Sequence, residues 1–187
     1  DGEGYSKTGT LRHAAGADVP DFTRLALGLC LNSDATVSDS GVVVGDPTEA
    51  ALVVLAAKLG VDAEETRRLY PRVAEVPFDS EYKFMVTFHH VPTEQGGFVA
   101  TMKGAPDVVI NRCSHVLTAD GVVPIEEARA EIDEANQRMS EKGLRVLAFA
   151  VRTLKGREAE AIADPMSEAS GFTFVALTGI IDPLRPE

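Results

Sequence analysis

The first third of the chain carries its apolar residues at helical spacing. In residues 21–32 they recur every three or four positions, which predicts an amphipathic helix. A second helix is predicted after Asp46, because Asp46 can cap it, Pro47 fits its first position and Glu49 supplies the acid of a capping box. Residues 62–69 predict a third, short and polar helix.

From residue 73 onward the pattern changes to that of β-strands. Segments rich in Val, Phe, Thr and Tyr, bounded by turn residues, predict strands over 73–78, 84–91, 97–102, 144–151 and 172–181. Helices are predicted over 107–113 and 125–142. Strands grouped in this way, with helices before and between them, predict an α+β fold with a twisted antiparallel sheet flanked by helices.

Composition narrows the class of protein. The chain has 187 residues, of which 44% are hydrophobic and 25% charged, and this suits one globular domain over residues 1–187. The net charge of −11 argues against nucleic acid as a partner, since that binding depends on many Lys and Arg contacts to phosphate. A nucleotide could still bind where a few cations converge.

The chain shows no membrane or secretion signal. Its longest apolar run, 50–57, is far shorter than the roughly 20 residues that span a bilayer, and the first residues contain no apolar signal-peptide core. Cys30 and Cys113 are far apart in the sequence, and we interpret them as reduced cytoplasmic thiols. The sequence lacks an initiator Met and stops at Pro-Glu, so we expect it to be part of a longer protein.

Several kinds of site can be set aside from the residues themselves. No Gly-rich phosphate loop of the GxxxxGK[ST] or GxGxxG type is present. Adjacent strand residues point to opposite faces, so His89 and His90 cannot chelate one metal ion, and no metal site is predicted. Ser33 and Ser80 lack the His and acid pattern that would make either a nucleophile.

Five short motifs stand in a fixed order instead. They are Gly-Asp-Pro-Thr-Glu-Ala-Ala-Leu (45–52), Pro-Phe-Asp-Ser-Glu-Tyr-Lys-Phe-Met (77–85), Lys-Gly-Ala-Pro-Asp (103–107), Gly-Leu-Arg-Val-Leu-Ala (143–148) and Asp-Pro-Leu-Arg-Pro-Glu (182–187). In this order, over essentially the whole chain, they resemble the nucleotide-binding domain of type II, calcium-pump-like P-type ATPases. The resemblance implies the α+β fold of that domain and a role in an ATP-driven cation pump.

The resemblance also implies roles for residues around the adenine. Phe78 would stack on the base, Lys103 would line the back of the pocket and Lys83 would reach toward the base or the phosphates. Glu49 would accept a hydrogen bond from the adenine amino group.

Four further residues complete the implied pocket. Arg145 would contact the phosphate chain, Leu147 would pack near the ribose, and Met85 and Gly104 would shape the pocket. Gly104 would also allow a close approach of the backbone.

The same resemblance makes residues 182–187 the start of a hinge, with Asp182 and Arg185 in it. The hinge would lead to a phosphorylation domain that supplies the phosphorylated aspartate and most of the Mg²⁺ site. ATP and the phosphorylation and actuator domains of the parent pump are the implied partners. The chain would thus be a cytoplasmic domain of an integral plasma-membrane protein, monomeric in isolation and, without that aspartate, unable to turn ATP over.

Taken without the resemblance, the same residues have simpler interpretations. A Phe in a strand is commonly core, Lys83 and Lys103 could be solvated surface charges, and Glu49 could serve only the helix cap. Arg145 is less easily dismissed, because alternation along a strand puts it on the face opposite its neighbours Leu144 and Val146.

Residues 6–11, Ser-Lys-Thr-Gly-Thr-Leu, differ by one residue from the phosphorylation motif of these pumps, which begins with Asp. The residues before them are polar and turn-like, whereas the aspartyl nucleophile should follow an apolar strand. A serine could not form the acyl phosphate. We interpret the match as coincidental.

Two other functions stay open at this point. One is an interaction or regulatory module of the same fold that no longer binds ATP, and the other is a small hydrolase that uses Asp and Glu carboxylates. The transported ion is also open. Calcium is the first expectation, but ion choice belongs to transmembrane helices that this sequence lacks.

Overall fold

The computed structural model describes residues 4–13, 16, 20–92 and 97–181. The chain forms two compact units, Asp1–Pro71 and Arg72–Glu187. The single functional domain predicted over residues 1–187 stays a prediction, since compact units and functional domains need not coincide.

In its described residues, the first unit combines helices with a short hairpin. Its elements are α1 (Thr23–Leu31), β1 (Thr36–Val37), β2 (Val43–Val44), α2 (Pro47–Lys58) and α3 (Ala63–Leu69). The strands β1 and β2 pair antiparallel. One face of α2 packs on the hairpin in a small apolar core of Ala35, Val37, Ala50, Val53 and Val54.

The predicted start of α2, with Asp46 as its cap and Pro47 as its first residue, is confirmed. Asp46 caps α2 by accepting a hydrogen bond from the Glu49 amide at 3.0 Å, and Pro47 is the first helical residue. Asp62 caps α3 in the same way. A short polar side chain at the N-cap satisfies an amide that the helix itself leaves unpaired.

The second unit is built on a large sheet. Its elements are β3 (Arg72–Val76), β4 (Phe84–Val91), β5 (Gly97–Gly104), α4 (Pro106–Ile110), β6 (Cys113–Thr118), β7 (Gly121–Pro124), α5 (Ile125–Glu141), β8 (Arg145–Thr153), α6 (Glu158–Ala163), a 3₁₀ turn (Pro165–Glu168) and β9 (Phe172–Ile180).

The sheet has seven strands in the order β3-β4-β5-β8-β9-β6-β7. Every neighbouring pair is antiparallel except β6 and β9, which run parallel. The predicted α+β fold with a mainly antiparallel sheet and flanking helices is confirmed.

One face of this sheet forms the main core. Phe84, Val86 and Phe88 alternate on β4 and are fully buried, and they cluster with Met102 of β5 and Ile125 of α5. The period of two along β4 and the stripe on α5 together explain why these residues meet.

Two of the boundaries predicted from the sequence are wrong in ways that move a residue to another element, and β5 and β8 each extend two residues beyond their predicted ends. The strand predicted over 73–78 ends at Val76, because Pro77 has no amide to donate to the ladder, and Phe78 therefore lies in the following loop. The helix predicted over 107–113 ends at Ile110, and Cys113 begins a β6–β7 hairpin that the pattern did not predict.

Both cysteines are free and buried, in α1 and β6 respectively. Burial raises the pKa of the Cys30 thiol and of the Cys113 thiol to about 12, so both stay protonated at neutral pH. Among the described residues, no helix has the length and apolar character needed to cross a bilayer.

Candidate functional site

The predicted binding residues of the second unit lie at one end of the large sheet. Phe84, the first residue of β4, pairs with Gly104, the last of β5, and Gly104 pairs with Ala148 near the start of β8. The loop that joins β3 to β4, residues 77–83, lies at this end too, since it leads directly into Phe84. We call it the 77–83 end of the sheet.

One face at this end carries four of the predicted residues. Met85, Lys103 and Phe149 stand side by side on β4, β5 and β8. Strand residues two apart share a face, so Leu147 and Arg145 lie on the same face as this row. The register alone therefore aligns residues from three separate motifs.

Exposure on this face increases toward the end of the sheet. Met85 is 3% exposed and Lys103 only 6%. Further along β8, Leu147 is half-buried and Arg145 is exposed. Lys103 is thus a cation held almost entirely inside the fold, while Arg145 faces solvent.

The 77–83 loop presents Phe78 to solvent, with 59% of its surface exposed. Asp79 orders the loop: its carboxylate accepts a hydrogen bond from the Glu81 amide at 2.7 Å, and its backbone oxygen accepts one from the Lys83 amide at 2.7 Å. A ring on an ordered, exposed turn can offer its face to a planar partner. Lys83, which ends the loop, is also exposed.

Glu49 belongs to the first unit, where it occupies the first turn of α2. Its Oε2 atom accepts hydrogen bonds from the amides of Asp34, at 2.8 Å, and Ala35, at 3.2 Å. The carboxylate therefore anchors the loop before β1 to α2. A carboxylate has room for further acceptor contacts, so its predicted contact with adenine stays a prediction.

The predicted hinge residues, Asp182 and Arg185, lie outside the described residues. Residues 6–11 form neither helix nor strand. There Thr8 and Ser6 are linked by a 2.8 Å hydrogen bond between their hydroxyls, and Lys7 lies 3.2 Å from Asp39.

A buried polar chain runs along the Lys103 face of the sheet and was not predicted. His89 Nε2 lies 2.8 Å from Thr87 Oγ1, which lies 2.8 Å from Thr101 Oγ1. All three side chains are at most 5% exposed. His90 is exposed, as the alternation of faces requires, and its Nδ1 is 4.0 Å from a Glu158 carboxylate oxygen.

Thr178 on β9 was also missed. It is 8% exposed and pairs across the ladder with Leu147, so it shares the face of Lys103 and Arg145. Its hydroxyl has no hydrogen-bond partner within the described part of the chain. The sequence shows a threonine among the apolar residues of β9, but only the structure shows that its hydroxyl lacks a partner among the described residues.

The described residues offer little else that resembles a ligand site. A shallow pocket in the first unit is lined by Lys7, Thr36, Val37, Val53, Ala57, Asp62, Ala63, Glu64 and Arg67. Its Arg67 guanidinium already donates to the backbone oxygens of Cys30 and Ala35, at 3.0 and 2.9 Å. No cluster of three or more His, Cys, Asp or Glu side chains suited to a metal ion occurs in the described ranges.

Comparison with known proteins gives a family match over most of the chain. Residues 21–187 match the family described as P-type ATPase, cytoplasmic domain N. Residues 6–11 lie outside that match.

Curated relatives are similar over most of this sequence. A cation-transporting ATPase of Synechocystis sp. is 36% identical over 199 aligned positions, which cover 100% of this chain and 21% of the relative. A calcium-transporting ATPase of Lactococcus lactis is 34% identical over 90% of this chain and 19% of its own length. A probable cation-transporting ATPase F of Mycobacterium tuberculosis is 36% identical over 79% of this chain and 17% of its own length. The chain thus spans about a fifth of the length of these relatives.

Proposed function

The chain belongs to the P-type ATPase family as its cytoplasmic domain N, and on that premise we propose that it binds the adenosine part of ATP. It then presents the γ-phosphate to the aspartyl phosphorylation site of a neighbouring domain in an ATP-driven cation pump. The observation that supports this proposal is that Phe78, Lys83, Lys103 and Arg145 all lie at the 77–83 end of the sheet.

Phe78 stacks on the adenine. Its ring is exposed on an ordered loop, and an aromatic face binds any purine by stacking, without a Gly-rich loop. Burying this exposed ring against a base also removes apolar surface from water. Met85, buried near the start of β4 on the same face as Lys103, forms the floor behind the base, and Gly104, buried at the end of β5, shapes the pocket through its backbone.

Lys103 and Arg145 contact different parts of ATP, Lys103 the base and Arg145 the phosphates. Lys103 is nearly buried beside Met85 and Phe149, so it faces the inner, adenine side of the site. Arg145 lies two rows further along the same face and is exposed, which suits the phosphate chain. Leu147 lies between these rows and packs against the ribose.

Lys83 and Glu49 are the remaining residues that contact ATP. Lys83 reaches the base or the phosphates from the loop. Glu49 accepts a hydrogen bond from the adenine amino group in addition to those from Asp34 and Ala35.

The chemistry of transfer lies elsewhere in the proposed pump. Asp182 and Arg185 form the hinge to a phosphorylation domain, whose aspartate receives the phosphate. Mg²⁺ is held mainly by that domain, and positioning and charge neutralisation account for most of phosphoryl transfer. The present chain binds ATP and does not hydrolyse it.

A titration of this chain with ATP, followed by the amide NMR signals, tests the proposal. The signals of Phe78 and Lys103 are expected to shift at millimolar ATP. Phe78→Ala is expected to weaken binding about fivefold or more, since stacking on an aromatic side chain contributes about 1–3 kcal/mol per base. Tyr82→Ala is the matched control, because Tyr82 is an aromatic residue of the same loop with 46% exposure.

Unchanged spectra at millimolar ATP would overturn the proposal and leave an interaction module that does not bind ATP. Equal weakening by Phe78→Ala and Tyr82→Ala would remove the stacking role. Release of phosphate from ATP by the wild-type chain would contradict the proposal that it only binds the nucleotide.

A further inference from the structure

Lys83 has an unusual backbone conformation. Its φ of +60° is the one positive φ recorded for a non-glycine residue in the described part of the chain. A long side chain in this left-handed region is strained and persists only where the surroundings impose it. Some part of the neighbouring structure must therefore hold Lys83 in place.

Hydrogen bonds fix the peptide groups on both sides of this residue. The Lys83 amide donates to the backbone oxygen of Asp79 at 2.7 Å. The Lys83 carbonyl accepts a hydrogen bond from the amide of Ala105 at 2.9 Å. Ala105 directly follows β5, so the end of that strand is tied to the end of the 77–83 loop.

Gly104 makes this second contact possible. A Cβ atom at position 104 would lie 2.4 Å from the Lys83 carbonyl oxygen and 2.8 Å from both Cα and Cβ of Phe84. Most of these atoms are backbone, so they cannot move aside as the tip of a flexible side chain can. Gly104 is not among the residues with positive φ, and the requirement for glycine here is one of space.

We propose that Gly104 is a positioning residue for Lys83. The Lys83 carbonyl occupies the space that a side chain at position 104 would fill. The Gly104–Ala105 segment thereby holds Lys83 in the left-handed conformation. Because its backbone is fixed, Lys83 loses less conformational entropy when its ammonium contacts a ligand. This role rests on the proposed function, in which Lys83 contacts ATP.

A double-mutant cycle with ATP as the probe tests the proposal. Gly104→Ala is expected to weaken ATP binding about tenfold in the wild-type background, because it displaces Lys83. In a Lys83→Gln background the same change is expected to weaken binding by about threefold or less, since the ammonium is already gone and only the contribution of Gly104 to the adenine pocket remains. Equal weakening in the two backgrounds, or none in either, would overturn the positioning role.

A second pair of variants acts at position 105 and covers the case in which Gly104→Ala fails to fold. Ala105 has φ −60° and ψ 134°, which proline can adopt. Ala105→Pro removes the amide donor to Lys83, and its Cδ, in place of the amide hydrogen, displaces the Lys83 carbonyl. Ala105→Ser keeps the donor and is the control. Ala105→Pro is expected to weaken ATP binding by about threefold to tenfold relative to Ala105→Ser, and equal affinities would contradict the proposal.

The NMR shifts of the Lys83 backbone distinguish a failure of this inference from a failure of the proposed function. If the wild-type chain did not bind ATP, the proposed function would fail. If it binds ATP and Phe78→Ala weakens binding, but Gly104→Ala leaves both the affinity and the Lys83 amide and Cα NMR shifts unchanged, the positioning role alone fails.

Discussion

Two regions of the second unit carry their charges in opposite ways. The Glu168 carboxylate, at the end of the 3₁₀ turn, is buried and held by two arginines. At the 77–83 end of the sheet, the cationic side chains of Lys83 and Arg145 are exposed, at the same end as the exposed ring of Phe78. The first region uses its charges to hold the fold together, and the second presents them at the surface.

The charged side chains around Glu168 are paired with one another. Arg157 Nε donates to Glu168 Oε1 at 2.9 Å, and Arg152 Nη1 lies 3.0 Å from Glu168 Oε2. Arg152 also donates to the Glu168 backbone oxygen at 2.9 Å, which ties the turn to β8. The side chain of Glu168 is only 3% exposed.

The difference shows how a charge can be assigned to structure or to binding. A buried carboxylate is tolerated only when it is paired and hydrogen-bonded, so the arginines of Glu168 are required by the fold. An exposed cation has no such requirement, because water solvates it. Changes in the first region should therefore affect stability, and changes in the second should affect ligand binding.

Removing the Glu168 charge is expected to have the largest effect on stability. Glu168→Gln leaves two arginines facing a neutral amide, and the free energy of unfolding should fall by about 2–3 kcal/mol, less than for a fully buried pair because Arg157 is half exposed. Urea unfolding measures this. Glu134→Gln is the control, since Glu134 pairs with Arg138 on the exposed surface of α5 and should change stability by about 0.5 kcal/mol or less. If Glu168→Gln lost ATP affinity but kept its stability, the role of Glu168 in holding the fold together would be contradicted.

The contribution of Glu168 should also depend on pH. The hydrogen bond from Arg157, with a further contribution from Arg152, holds the pKa of Glu168 below its ordinary value although burial opposes this. A lowered pKa in the folded state stabilises the protein above the pKa of the unfolded state, and this stabilisation is lost as the pH falls through the folded pKa. The stability difference between wild type and Glu168→Gln should therefore shrink between about pH 5 and about pH 3. A difference that stayed constant over this range would contradict the ionic role of Glu168.

At the other region, Arg145→Gln should change binding and leave stability almost unaltered. An exposed arginine that contacts phosphate should contribute about 1 kcal/mol, or roughly a fivefold change in ATP affinity, and the effect should diminish with added salt. Adenosine, which lacks phosphates, should bind wild type and variant equally. Arg138→Gln, on the exposed surface of α5, is the matched control. An equal loss of adenosine affinity would place Arg145 at the nucleoside instead.

The smallest expected effect concerns a polar group that belongs to neither arrangement. The Thr178 hydroxyl is buried and has no partner among the described residues, so Thr178→Val should raise the free energy of unfolding by up to about 1 kcal/mol. Thr118→Val is the contrasting variant, because its hydroxyl donates to the Gly121 backbone oxygen at 2.9 Å and its removal should destabilise by about 1 kcal/mol. Destabilisation by Thr178→Val would indicate that the hydroxyl has a partner after all.

The sequence predicted those parts of the fold that depend on neighbours along the chain. The cap at Asp46 and the long helix α5 follow from local spacing and were predicted within a residue or two. The β6–β7 hairpin was missed because its strands are short and carry polar residues such as Ser114 and His115. Of the two, β6 is joined to the rest of the sheet by β9, which lies more than 50 residues away along the chain, and β7 pairs with β6.

The candidate site, like the fold, could be predicted from the sequence only in part. The residue types came from the ordered motifs, while the alignment of Lys103 with Met85 and Phe149 depends on strand register. The left-handed conformation of Lys83 could not be read from its sequence, because lysine does not favour it and the contact that imposes it comes from β5.

The position of β9 has a consequence for biosynthesis. Although β9 comes last along the chain among the described strands, it lies inside the sheet, between β8 and β6. Until residues 172–180 have left the ribosome, β8 keeps an open edge and the β6–β7 hairpin has no partner in the sheet. A nascent chain that pauses before this point exposes two unpaired edges, and co-translational folding of the second unit is completed only by its final strand.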